Sequence, residues 1–234
     1  SLDRAGHQVL FATNNSSRAV DAVIDNVYTR TGYRPRSDAV VTSGLAAANL
    51  LRNTGETCFV FGSEGLAQTL AAEGIDVTLD HMSATAVVVG LDRGLSYERL
   101  TSAVLAVRGG ARFIATNDDA TYPTPQGQYP GCGALVAAVE RATGVGPVVC
   151  GKPHAPMRLL IERKVEHPDV WMVGDRVETD LALAHTAGWG KILVMTGVSG
   201  DQEAGDPEVR PHVTIDSIAD LGDLVSPRTL PTEG

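Results

Sequence analysis

Short apolar runs recur along the chain. Each is closed by a turn signal and followed by a stretch whose apolar residues return every three to four positions. The strand-like runs are 8–13 (QVLFAT), 39–43 (AVVTS), 58–62 (CFVFG), 86–90 (AVVVG), 112–116 (RFIAT), 170–174 (VWMVG) and 191–197 (KILVMTG). Helical patterns lie between them near 17–30, 44–53, 64–73, 97–108, 134–143, 156–166 and 180–187. Strands that are apolar throughout, in alternation with helices, belong in a parallel sheet covered on both faces. The pattern predicts an α/β protein. At its start, SLDRAG reads as the last turn of a helix with Gly6 as a left-handed cap.

Ligands of open α/β sheets sit outside the carboxyl ends of the strands. Three runs end there in polar clusters: TNNSS after the first, GKP after the short run VVC at 148–150, and GDRVETD after 170–174. In TNNSS, Thr13, Asn14 and Asn15 close a strand, and Ser16 or Ser17 is placed to cap the next helix. Such a loop is either a turn built of good capping residues or a neutral cradle for an anion. Lys152, between a strand and a helix, is either a surface lysine or an ammonium directed into the same crevice. Asp175 ends a strand, where an uncompensated carboxylate is costly, and Asp180 follows at a helix start. Asp180 alone reads equally as a cap. Together the two are hard oxygen donors suited to Mg²⁺.

Composition narrows the setting. The chain has 234 residues, a formal net charge of −9 and three scattered cysteines, Cys58, Cys132 and Cys150. The acidic balance argues against a nucleic-acid surface. No apolar run approaches the roughly 20 residues that span a bilayer, and no secretory signal opens the chain. Odd, unspaced cysteines fit buried thiols in a reducing cytoplasm.

The order TNN, GKP, GDRxxTD resembles the second, third and fourth motifs of the haloacid dehalogenase superfamily, in the branch of NagD-type, glycerol-phosphate, pyridoxal-phosphate and nitrophenyl phosphatases. VVTSG at 40–44, FIATNDD at 113–119, PGCGALVAAVE at 130–140 and TGV at 196–198 are similar to that branch as well. The resemblance implies a core of residues 1–53 and 148–234, with 54–147 inserted as an α/β cap. It implies that Asp175 ligates Mg²⁺ with support from Asp180. Thr13 and Asn14, with Asn15 beside them, would bind the phosphoryl group, and Lys152 would neutralise its charge. It places Tyr122, in the cap loop at 117–131, where relatives contact the substrate; a packed surface aromatic is the equal alternative. The implied ligand is a small phosphorylated metabolite, and the implied assembly a homodimer through the cap.

One departure matters. The family's first motif, DxDG, supplies the aspartyl nucleophile and a general acid/base, and no such sequence occurs in the chain. Asp3, on the presumed helix end, cannot stand in for it. The expectation is that roughly 25 to 30 residues, about one strand–turn–helix unit, precede Ser1 in the natural protein, and that the 234 residues alone are inactive. Two readings follow: a phosphatase working through an aspartyl-phosphate, or a degenerate relative that binds a phosphorylated ligand without turning it over. A dinucleotide-dependent oxidoreductase is set aside because no G-x-G-x-x-G follows an early strand.

Overall fold

The computed structural model describes residues 2, 5–196 and 207–224. Asp3 and most of the TGV match at 196–198 lie outside the described residues. The chain forms two compact units, residues 11–161 in one and residues 1–10 with 162–234 in the other.

The larger unit begins with β1 (Phe11–Thr13), α1 (Val20–Thr31), β2 (Val40–Thr42) and α2 (Ser43–Leu51). It continues through β3 (Thr57–Phe61), α3 (Glu64–Ala72), β4 (Asp76–Thr78), β5 (Ala86–Val89), α4 (Tyr97–Arg108) and β6 (Arg112–Ala115). The hairpin of β7 (Thr121–Thr124) and β8 (Gly127–Pro130), α5 (Cys132–Thr143), β9 (Val148–Val149) and α6 (Ala155–Glu162) complete the series. Its main sheet is parallel, in the order β4-β3-β5-β6-β9. Period-two geometry sends alternate residues of each strand to opposite faces. Phe59, Phe61, Val87, Val89 and Phe113 pack against Ala103 and Val107 of α4 and Leu135, Val136 and Val139 of α5. Cys58, Val60, Ala86, Val88 and Ile114 pack against Ala46–Ala48 and Leu51 of α2 and Leu66 and Leu70 of α3. Both faces are covered, which is why these strands read as apolar throughout.

The smaller unit holds a parallel sheet of β10 (Trp171–Gly174), β11 (Gly190–Val194) and β12 (Val213–Ile215), with α7 (Ala182–Ala187) and α8 (Leu221–Leu224). Ile192, Val194, Ile215 and Leu221 form a core against Leu2, Trp171 and Val173. Gly6 takes the left-handed conformation expected of it, with φ 87°.

The α/β alternation holds, but several expectations need correction. β9 hydrogen-bonds to β6 as the edge of the main sheet, within the compact unit of residues 11–161. The first run is a strand only over Phe11–Thr13, and Gln8 instead bonds through its side chain to Lys164 O (2.6 Å) and Glu166 N (3.0 Å). β1 and β10 are half-buried rather than buried; among the described residues each pairs on one edge alone, β1 with β2 and β10 with β11. α1 starts later than the serines expected to cap it, at Ala19 without a side-chain cap. Strands β4, β7, β8 and β12 were not legible in the apolar pattern.

Among the described residues no helix is long and apolar enough to cross a membrane. The three thiols are buried, and burial pushes those of Cys58 and Cys150 up to about 12. They are packing groups, not nucleophiles.

Candidate functional site

In the larger unit the loop after β1 meets the loop after β9. Asn14 makes the junction. Its Oδ1 accepts from Lys152 N at 2.7 Å, and its Nδ2 donates to Lys152 O at 3.0 Å. Asn14 Nδ2 also donates to Asp119 Oδ2 at 3.3 Å. The carboxamide of Asn14 is therefore a clamp on the Lys152 peptide. Its own carbonyl accepts from Asn117 Nδ2 (2.8 Å) and Ser43 Oγ (2.6 Å), so four segments are tied at one residue.

Lys152 is buried with its ammonium donating to Ala12 O at 3.1 Å, in the middle of β1. Such a cation is held rather than free to wander over the surface. Thr13 Oγ1 accepts from Asn15 N at 3.1 Å, and Asn15 Oδ1 accepts from both N and Oγ of Ser17, so two successive side chains fold the loop back on itself. Ser16, read from sequence as a cap, is buried and donates to Thr116 Oγ1 at 2.9 Å at the end of β6. That long-range partner, rather than the helix start, decides its position. These contacts bring Thr13, Asn14, Asn15 and Lys152 together. Asn117 and Asp119 join them; the sequence noted their motif without giving them a role.

His154 Nε2 lies 2.9 Å from Asp118 Oδ2, a second tie between the same loops, and that hydrogen bond holds the Asp118 carboxyl below its ordinary value. Tyr122 stands on β7, edge-on to Tyr129 across the hairpin (centroids 6.1 Å apart) with the Arg93 guanidinium 5.4 Å above its ring.

In the smaller unit Asp175 follows β10, and Asp180 lies in a wide helical turn at Val177–Leu181 that leads into α7. Asp180 is buried, and its Oδ2 accepts from Arg176 N at 3.2 Å. Gly174 makes this possible. A methyl there would collide with Cβ, Cγ and Oδ2 of Asp180. Gly174→Ala is expected to destabilise the smaller unit by about 1–3 kcal/mol through overpacking, and to weaken any cation held by the two carboxylates; urea unfolding and a Mg²⁺ titration measure both. No group of three or more His, Cys, Asp or Glu among the described residues forms a metal cluster. Two carboxylates without nitrogen or sulfur donors still suit Mg²⁺, which keeps water and phosphate in its remaining positions.

Residues 1–76 match the family model described as haloacid dehalogenase-like hydrolase, and residues 149–221 match a second described as HAD-hydrolase-like. The chain is 37% identical over 216 residues to an acid sugar phosphatase of Staphylococcus saprophyticus, covering 91% of this chain and 83% of the relative. A hypothetical protein from Pyrococcus horikoshii superposes with a TM-score of 0.90 at 36% identity, over 96% of this chain and 89% of that one. Glycerol phosphate phosphatase from Mycobacterium tuberculosis, solved in complex with magnesium, superposes with a TM-score of 0.86 at 34% identity, over 94% and 68%.

Proposed function

The chain belongs to the haloacid dehalogenase-like hydrolases, in their NagD-type phosphatase branch, and from that membership we propose that the protein is a Mg²⁺-dependent phosphomonoesterase acting on a small phosphorylated metabolite. The observation that carries the reading is the Asn14–Lys152 clamp. It fixes a buried ammonium beside a loop of hydroxyl, amide and backbone donors. Phosphoryl transfer asks a protein for little more than positioning and charge neutralisation.

In this proposal the Thr13 hydroxyl and the backbone N–H groups of the TNNSS loop hold the phosphoryl oxygens, with Lys152 offsetting their charge. Asp175 holds Mg²⁺, and Asp180 supports it through Arg176 N. When bound, the ion would supply further positive charge. An aspartate carboxylate attacks phosphorus, the ester P–O bond breaks, and the leaving oxygen takes a proton. Water then cleaves the acyl phosphate, releasing inorganic phosphate and the carboxylate. The attacking carboxylate belongs to a D-x-D-G sequence that these residues do not contain. Residues 54–147 serve as the cap that excludes water and contacts the leaving group, and a homodimer forms through them.

The test is nitrophenyl phosphate hydrolysis by the full-length protein. Turnover should need Mg²⁺, disappear with chelator and return on adding the ion. A protein of the 234 residues alone should bind phosphate and show no turnover, since loss of general acid/base catalysis by itself costs about 10²–10⁴-fold. Phosphate binding by the full-length protein without turnover of any ester would instead favour the non-catalytic reading.

A further inference from the structure

Asn14 holds the main chain of Lys152 at two atoms, N and O. Two bonds from one carboxamide leave the segment free to pivot about that side chain. Upstream, packing stops the pivot: a methyl on Gly151 would stand 2.7 Å from Asn14 Oδ1 and 2.8 Å from Thr116 O. Downstream, Pro153 has no N–H to offer. The next donors are both on His154. Its N–H closes a turn onto Gly151 O at 2.8 Å, and its ring Nε2 meets Asp118 Oδ2 at 2.9 Å. That ring contact is the main cause that holds the Asp118 carboxyl below its ordinary value. Asp118 is therefore an ionised partner that can only accept, and Nε2 carries the hydrogen.

Asp118 is a fixed anchor because its own segment is gripped on both sides. Asn117 Nδ2 donates to Asn14 O at 2.8 Å, and Asp119 Oδ2 accepts from Asn14 Nδ2 at 3.3 Å. The start of α5 closes over the same backbone, with Gly133 N donating to Asp119 O at 2.9 Å. A methyl on Gly131 would collide with the Asp119 carbonyl oxygen, and one on Gly133 with that of Asp118. The His154 and Asp118 side chains are 36% and 46% exposed, and pairs that open to water add little stability. What this one adds is position.

We infer that His154 and Asp118 are positioning residues for the reaction: their hydrogen bond fixes the downstream end of the Lys152 turn and keeps the buried ammonium in register with the TNNSS loop. The ammonium of Lys152 donates to Ala12 O, one residue before Thr13, so a shift of the turn moves the cation along that loop. A cation that drifts loses most where phosphoryl charge is greatest, in the transition state. Loosening the tie therefore lowers kcat more than it raises KM. This inference rests on the phosphatase reading above, which gives the ammonium its task.

Hydrolysis of nitrophenyl phosphate by the full-length protein in Mg²⁺ tests it. A 1 Å misplacement costs about 10²-fold, and the intact Asn14 clamp limits the drift, so His154→Phe should lower kcat about tenfold. KM should stay within about twofold, because the lost interaction belongs to the transition state. Asp118→Ala should match it. His154→Gln, whose amide nitrogen lies as many bonds from Cβ as Nε2 does, should restore kcat to within about threefold of wild type. Added to Lys152→Met, His154→Phe should cost nothing further, since nothing is left to position. Wild-type kcat in His154→Phe, no restoration by His154→Gln, or an undiminished further loss in the Lys152→Met background overturns the role of the pair and leaves the phosphatase reading standing. Absence of turnover by the wild type overturns both.

Discussion

Lys152→Met in the full-length protein should lower turnover of nitrophenyl phosphate by about 10²–10³-fold, the scale seen when one preorganised electrostatic donor is removed from a transition state. Methionine keeps the unbranched stem and most of the volume, so the packing around this buried side chain survives. The ammonium is what disappears, together with its hydrogen bond to Ala12 O. Losing that bond to the Ala12 carbonyl, within β1, costs about 1–3 kcal/mol at most. Stability should therefore fall modestly while the rate collapses, with kcat hit at least as hard as KM because charge on the phosphoryl oxygens matters most in the transition state. Retention of more than a tenth of the wild-type kcat, with the fold intact by circular dichroism, would remove Lys152 from the chemistry.

Asn14→Ala should damage both fold and rate. Two reciprocal hydrogen bonds to the Lys152 peptide vanish at once. Leaving both groups without partners costs about 2–4 kcal/mol if water cannot replace Asn14. The rate should fall about 10²-fold, because a shift near 1 Å in a positioned group has that effect. Asn14→Asp should be worse, since its carboxylate would face both Lys152 O and Asp119. The two variants separate the clamp from direct phosphoryl contact. A side chain that only touched substrate would change KM and kcat without altering the urea midpoint. Wild-type stability in Asn14→Ala would show that the carboxamide does not hold the loop.

Much of the fold was legible because apolar periodicity is a local property that burial on a covered sheet imposes on every strand. The strands at 57–61, 86–89 and 112–115 and the helices between them follow from it directly. The loops TNNSS, GKP and GDRVETD stood out since polar residues at strand ends need a partner. The short edge strand β4 and the hairpin of β7 and β8 carried no such signal. They bury one side at most, and Gly127–Pro130 is exposed throughout. Nor did the pattern show that β9 would join β6. Strand pairing is a choice among surfaces distant in sequence, and two residues of valine do not specify it.

The site divides in the same way. Residue type and position in a loop marked Thr13, Asn14, Asn15, Lys152, Asp175 and Asp180 as candidates, because those properties belong to the chain itself. What each side chain does with its hydrogen bonds depends on residues a hundred or more positions away, as with Asn14 and Lys152 or Ser16 and Thr116. Only tertiary structure turns Asn14 into a clamp and Ser16 into a buried tie. It alone pairs Asp92 with Arg99, seven positions on, rather than with the adjacent Arg93. Local sequence fixes which donors and charges are present; which of them are spent on one another is settled by packing.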